Sequence, residues 1–290
     1  KSIYFFTISA NLNNSYAQFY LGEIYYDGKY VEQDIGKSIH YLELSANQED
    51  HDAQFLLGKI YYEGKYIKKD IKKSANYLFI SAKYGHPSAQ YFIGKSFFER
   101  KFIVSDIETS IYYLELSANQ NNSNAQFLLG EIYYYGKYVK QDITKSIQYL
   151  SLSANKGNSN AQQLLGTIYY YGDIVEQNIE KSLKYLKNSA DSNNSIAQYC
   201  LGGIYYEGKF IDHDIKKSIY YFEQSANQNN IDAQYFLGKI YSEGKYVSVN
   251  IEKSIYYLEL ASAKNDSESQ YLLGLIYYEG KYVERNILLS

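Results

Sequence analysis

The segment AQFLLGKIYYEGKYIKKDIKKS, running from Ala53 to Ser74, returns along the whole chain, with versions beginning at Ala17, Ala89, Ala125, Ala161, Ala197, Ala233 and Ser269. Each start lies 36 residues after the last. A fixed period without insertions means one supersecondary unit copied and stacked. The 290 residues are therefore expected to form one elongated solenoid over 1–290 instead of two globular domains.

The unit reads as two antiparallel helices, A and B, so the predicted fold is all-α: an α/α solenoid of about eight helix-turn-helix repeats. In the second copy, helix A begins after Asp50 and runs to about Glu63, and helix B begins after Asp70 and runs to about Lys83. Asp34, Asp70, Asp106, Asp142, Asn178, Asp214, Asn250 and Asn286 stand just before helix B, where a short polar side chain accepts from the free amides of the first turn. Before helix A the same place is held by Asn14, Asp50, Asn122, Asn158, Asn194, Asn230 and Asp266. His86 is the exception, and Pro87 follows it at the helical position that best tolerates proline.

Helix ends are marked as well. Gly28, Gly64, Gly136, Gly172, Gly208, Gly244 and Gly280 close helix A, and Asn13, Gly85, Asn121, Gly157, Asn193, Asn229 and Asn265 close helix B. Glu49 and Arg100 break these series, which predicts a less comfortable or different turn in their copies.

A second glycine series, Gly22, Gly58, Gly94, Gly130, Gly166, Gly202, Gly238 and Gly274, lies inside helix A, where glycine costs about 1 kcal/mol relative to alanine. The repeated cost implies close approach, either by helix B of the same unit or by helix A of the next. Ala53, Leu57, Gly58, Ile60 and Tyr61 share the packing face of helix A, and Ile71, Ser74, Tyr77, Leu78, Ser81 and Ala82 that of helix B. A glutamine follows the first small residue of every helix A, as at Gln18, Gln54 and Gln90. On so apolar a face its amide should be hydrogen-bonded, by tying down backbone in an adjoining loop or by reading a ligand.

Composition removes several function classes. Twenty-nine basic against 32 acidic residues give a net charge of -3, spread evenly over the copies, which argues against nucleic acid as a partner. Cys200, the one cysteine, stands where other copies carry Leu, Phe or Tyr and reads as a small core side chain. His40, His51, His86 and His213 fall at four different repeat positions, so no metal-ligand spacing, catalytic constellation or cofactor motif emerges. Asn13, Asn121, Asn193 and Asn265 sit in Asn-x-Ser sequons, which chance supplies readily in so Asn-rich a chain. No apolar run reaches the ~20 residues needed to insert into a bilayer. A soluble chain is expected, with compartment unread beyond a slight lean to the cytoplasm.

At these residues the chain resembles the Sel-one-like repeat family, relatives of the tetratricopeptide repeat. The family's pattern is met in the fourth copy by Ala125, Leu129, Gly130, Tyr133, Gly136, Val139, Asp142, Lys145, Ser146, Tyr149, Ser153 and Ala154. Two departures recur: the family's second loop glycine is Tyr138 and its equivalents, and its Ala-Ala is Ser-Ala. The resemblance implies a right-handed superhelix whose A helices line a concave wall, in proteins that act as non-enzymatic adaptors. Some secreted, cysteine-rich members are associated with hydrolysis, and a chain with only Cys200 departs from them.

The face of helix A opposite the constant one offers a place for a protein or peptide ligand. Phe19, Phe55, Tyr91, Phe127, Tyr199, Tyr235 and Tyr271 form one aromatic rail, interrupted by Gln163. Tyr26, Tyr62, Phe98, Tyr134, Tyr170, Tyr206 and Tyr278 form the other, interrupted by Ser242. Between them runs a changing row of Glu23, Lys59, Lys95, Glu131, Thr167, Gly203, Lys239 and Leu275. Such a ladder suits an extended peptide or a helix, with selectivity from the middle row. A stripe at this spacing is usually packing between successive units, and the two readings are compatible in part. The third copy diverges most, at Ser96, Phe97, Phe98, Arg100, Phe102 and Thr109, through drift or as a special site around Lys95, Arg100 and Lys101.

Lys1 corresponds to Lys37 and Ser290 to Ser38, so the chain is expected to begin and finish inside a helix B. Neither end carries a polar capping helix, which points to flanking repeats, a separate cap or end-to-end self-association.

Overall fold

A computed structural model of the chain describes residues 1–99 and 106–280; the expectations placed on Arg100, Lys101, Phe102, Asn286 and Ser290 lie outside them. The described residues hold 16 helices and no strand. By contacts the chain divides into two compact units, Lys1–Ser153 and Ala154–Ser290. The first holds α1 (Ser2–Asn11), α2 (Ser15–Asp27), α3 (Ile35–Ala46), α4 (His51–Glu63), α5 (Ile71–Lys83), α6 (Pro87–Phe98), α7 (Ile107–Asn119), α8 (Ser123–Tyr135) and all but the end of α9 (Ile143–Asn155). The second holds α10 (Ser159–Tyr171), α11 (Ile179–Asp191), α12 (Ser195–Glu207), α13 (Ile215–Asn227), α14 (Ile231–Glu243), α15 (Ile251–Ser262) and α16 (Ser267–Glu279). From α2 on, even numbers are A helices and odd numbers B helices of an α/α solenoid.

The caps form as their residue types dictate. Asn14, Asp50, Asn158, Asn194 and Asn230 each accept the amide three residues on, and Asp34, Asp70, Asp142, Asn178, Asp214 and Asn250 do the same for helix B. His86 fills the role with a ring nitrogen, Nδ1 accepting from the Ala89 amide at 3.1 Å. Every closing glycine of helix A from Gly28 to Gly280 within the described residues has positive φ, as do Asn13, Gly85, Asn121, Gly157, Asn193, Asn229 and Asn265. Glu49 adopts the same left-handed turn at φ 63°, so its copy turns like the rest and carries the strain of a side chain there.

The interior glycines meet helix B of their own repeat. A Cβ on Gly22, Gly58, Gly94, Gly130, Gly166, Gly202 or Gly238 would lie 2.5 to 2.7 Å from Leu42, Leu78, Leu114, Leu150, Leu186, Phe222 or Leu258, respectively. Those seven side chains are fully buried. Each adds about 1.5–3 kcal/mol by leaving water, and the missing Cβ is what lets it in. Ser38, Ser110, Ser146 and Ser254 pin the contact by donating to the glycine carbonyls of Gly22, Gly94, Gly130 and Gly238 at 2.7 to 2.9 Å.

The Ser of the Ser-Ala pair has a partner of its own. In the first unit Ser45, Ser81, Ser117 and Ser153 donate to the carbonyls of Ser15, His51, Pro87 and Ser123, and in the second Ser189 and Ser225 donate to Ser159 and Ser195. Each bond ties helix B to the first residue of its helix A, which an alanine cannot do. The repeated glutamine binds helix end, not loop: Gln18, Gln54, Gln90 and Gln126 donate to Ala10, Ala46, Ala82 and Ala118, and Gln162, Gln198 and Gln234 to Ala154, Ala190 and Ala226. It is a second donor to a last-turn carbonyl of the preceding helix B, which also accepts the amide three residues on, as Ala46 does from Glu49.

Within repeats, Tyr25 stacks on Tyr41, Tyr61 on Tyr77 and Tyr133 on Tyr149, as do Tyr169 on Tyr185, Tyr205 on Tyr221 and Tyr241 on Tyr257, with centroids 5.9 to 6.3 Å apart. Lys37, Lys73, Lys145, Lys181, Lys217 and Lys253 lie over the first ring of these pairs. The Asp-x-x-Lys spacing thus serves both helix B's cap and this ring pair.

Candidate protein-binding face

In the first unit Phe19, Phe55, Tyr91, Phe127, Tyr26, Tyr62, Phe98 and Tyr134 are half-buried, as are Tyr170, Tyr199, Tyr206 and Tyr235 in the second. Tyr271 and Tyr278 are 63% and 56% exposed. Apart from those last two, the rings are neither core nor free surface. Phe19 and Tyr26 pack on the cluster of Leu42, Ala53 and Leu57, Tyr91 and Phe98 on that of Leu114 and Leu129, and Tyr199 and Tyr206 on that of Phe222 and Leu237. Each cluster joins helix B of the same repeat to helix A of the next. One flank of a ladder ring fastens two repeats, and part of its surface remains open.

The second rail is held further by residues the sequence reading did not assign. Tyr26, Phe98, Tyr170 and Tyr206 meet Tyr66, Tyr138, Phe210 and Tyr246 of the following repeat edge to face at 5.6 to 6.4 Å. The loop aromatic that replaces the family's glycine is thus a latch onto the previous helix A. Its signal in the sequence was its own recurrence. Gln33, Gln141 and Gln177 add bonds to the carbonyls of Tyr26, Tyr134 and Tyr170.

The middle row is less free than its residue types suggest. Lys59, Lys95 and Lys239 each lie 3.8 Å from the glutamate one turn on, Glu63, Glu99 and Glu243. Such exposed pairs contribute little to stability, about 0.3–0.5 kcal/mol, and only bias where the ammonium sits. Lys95 also lies 5.7 Å from the centroid of the Tyr91 ring. Burial raises the carboxyl pKa of Glu23, aided by Asp27 and Asp52, and that of Glu131. Glu131 borders a cavity of about 260 Å³ with Phe98, Ile132, Tyr135, Lys137 and Tyr138.

The second unit has a cavity of about 110 Å³ on the same face, lined by Thr167, Tyr170, Tyr171, Leu186, Tyr199, Cys200, Gly203, Ile204, Tyr206, Glu207 and Phe236. Tyr170 donates to Glu207 Oε2 at 3.1 Å. Burial, with Glu207 next, pushes the Tyr170 hydroxyl up to about 12; burial, with Asp232 next, does the same to Tyr199. Cys200 is half-buried against the Leu186 cluster, and burial raises its thiol to about 11, far from the thiolate a nucleophile needs. Among the described residues no group of Cys, His, Asp and Glu is placed to hold a metal ion, and no helix is long and apolar enough to cross a membrane.

The Sel1 repeat model matches residues 15–50, 51–86, 87–122, 123–158, 159–194, 195–230, 231–266 and 267–290. The chain belongs to the Sel1 repeat family. Sel1 repeat proteins are generally protein-interaction scaffolds. Among solved structures, the chain resembles c5321, a protective antigen of uropathogenic Escherichia coli with this repeat fold, at 27% identity and TM-score 0.88, over 99% of this chain and 62% of that one. It thus spans less than two thirds of the antigen's length. A Sel1 repeat protein from Oxalobacter formigenes is 30% identical with TM-score 0.77, over 94% of this chain and 79% of that one. No curated protein matches the chain significantly in sequence.

Proposed function

We propose that this Sel1 repeat chain is a non-enzymatic adaptor that holds a polypeptide, extended or helical, along the aromatic face of its A helices. The observation that carries the reading is the half-buried ladder. Rings clamped on one flank by the neighbouring repeat present contact area with little left to immobilise, which lowers the entropic cost of binding. Tyrosine adds a polar tip for a partner's backbone, and the middle row changes from repeat to repeat as a selective surface should.

Cross-linking of the purified chain to co-purifying proteins, read by mass spectrometry, tests it. A stoichiometric polypeptide cross-linked beside α14 and α16, and lost on Tyr235→Ala with Tyr271→Ala at little change in thermal midpoint, is the expected result. Substrate turnover by the purified chain in a hydrolase panel would overturn the non-enzymatic reading. Equal loss of folding and binding would return these rings to the core.

A further inference from the structure

In the first unit, Lys95 of α6 shows how this face accommodates a cation: its ammonium lies over the ring of Tyr91, four residues before it, and 3.8 Å from Glu99, four residues after it and just past the helix end. The equivalent residues of α12 are Tyr199, Gly203 and Glu207. Ring and carboxylate are retained, and the lysine between them is gone.

What remains is room. A Cβ on Gly203 would meet nothing within 4 Å, and the cavity of about 110 Å³ opens there. Tyr170, Tyr171, Tyr199, Tyr206 and Phe236 wall it. Among the described residues Glu207 has no ion pair; its bond is to the Tyr170 hydroxyl. Aromatic rings around a carboxylate attract an organic cation through both charge and ring quadrupole. The volume suits the end of one side chain and falls well below the roughly 300–1,000 Å³ of small-molecule pockets.

We propose that this cavity receives a lysine side chain from the bound polypeptide, its ammonium taking the place between Tyr199 and Glu207 that the Lys95 ammonium holds between Tyr91 and Glu99. The proposal rests on the adaptor reading for the source of that lysine and on the cavity alone for its chemistry. The net charge of -3 favours a basic partner.

The test titrates the full chain with Nα-acetyl-lysine N-methylamide, and with the norleucine analogue as a neutral match, following the amide resonances around Thr167 and Gly203. Saturable shifts with the lysine derivative, about tenfold weaker or absent with norleucine, are expected. Gly203→Lys, which installs the residue found at 59, 95 and 239, should abolish them with the fold intact. Equal response to norleucine, no response to lysine, or a response undiminished in Gly203→Lys overturns the proposal. Because the probe is one amino acid, its binding is separable from partner capture. A partner bound equally by the native chain and Gly203→Lys would sink the cavity's role and leave the adaptor reading standing.

Discussion

Gly202 and Gly203 stand side by side in α12, and the same substitution should act on them in opposite directions. An alanine Cβ at 202 would lie 2.6 Å from the buried Phe222 ring, and the overpacking is expected to cost about 1–3 kcal/mol net of any helix gain. At 203 the Cβ enters open space, so Gly203→Ala should gain about 1 kcal/mol; urea unfolding of the two variants measures both. His86 carries a pH dependence. Its Nδ1 accepts the Ala89 amide, its Nε2 faces Asp52 at 2.9 Å, and burial, with His51 a lesser contributor, holds its pKa below the usual value against the pull of Asp52. Below pH 6.5 the unfolded chain binds the proton that the folded imidazole refuses, so this stability is present above 6.5 and is lost as pH falls through the lowered folded value. Thermal midpoints between about pH 7 and pH 5 should fall more steeply for the native chain than for His86→Asn, which restores the cap residue of most sister repeats.

At the scale of the element, the loop aromatics give a measurable link between repeats. A double-mutant cycle on Tyr206→Ala and Tyr246→Ala, read by chemical unfolding, should return a coupling of about 0.5–1.5 kcal/mol, whereas Tyr206 with the distant Tyr256 should return none. Helix starts and stops were legible in the sequence because a cap is a contact over three residues and a left-handed turn is a property of one. Glu49 escaped because the bonds around it, Glu49 N–H to the Ala46 carbonyl and Asp50 N–H to that of Ser45, impose the turn whatever the side chain. The latch of Tyr66 on Tyr26 and the bond from Ser45 to Ser15 were not legible, since they span 40 and 30 residues and depend on how helices settle. The rails of the candidate face followed from helical spacing. The cavity did not, although its trace was present: glycine in a row that elsewhere holds larger residues, with Glu207 one turn on and no lysine at the row position that precedes it by four.

For the whole molecule, stability in such an array is a sum of repeats and nearest-neighbour contacts, so the period itself is the unit of tolerated change. Deleting residues 195–230 joins the cap Asn194 to Ile231, the first residue of α14, and should leave a cooperatively folding chain of unchanged helicity per residue and lower thermal midpoint. Deleting 195–212, half a period, sets a helix-A cap before a helix-B sequence and should cost much of the helical circular dichroism. The paired tyrosines have a further consequence. With 38 tyrosines and no tryptophan, the chain's near-ultraviolet absorption comes from phenol rings, many of them coupled face to face about 6 Å apart. Each such repeat therefore carries its own chromophore dimer, and the melting of the array can be followed optically without a label.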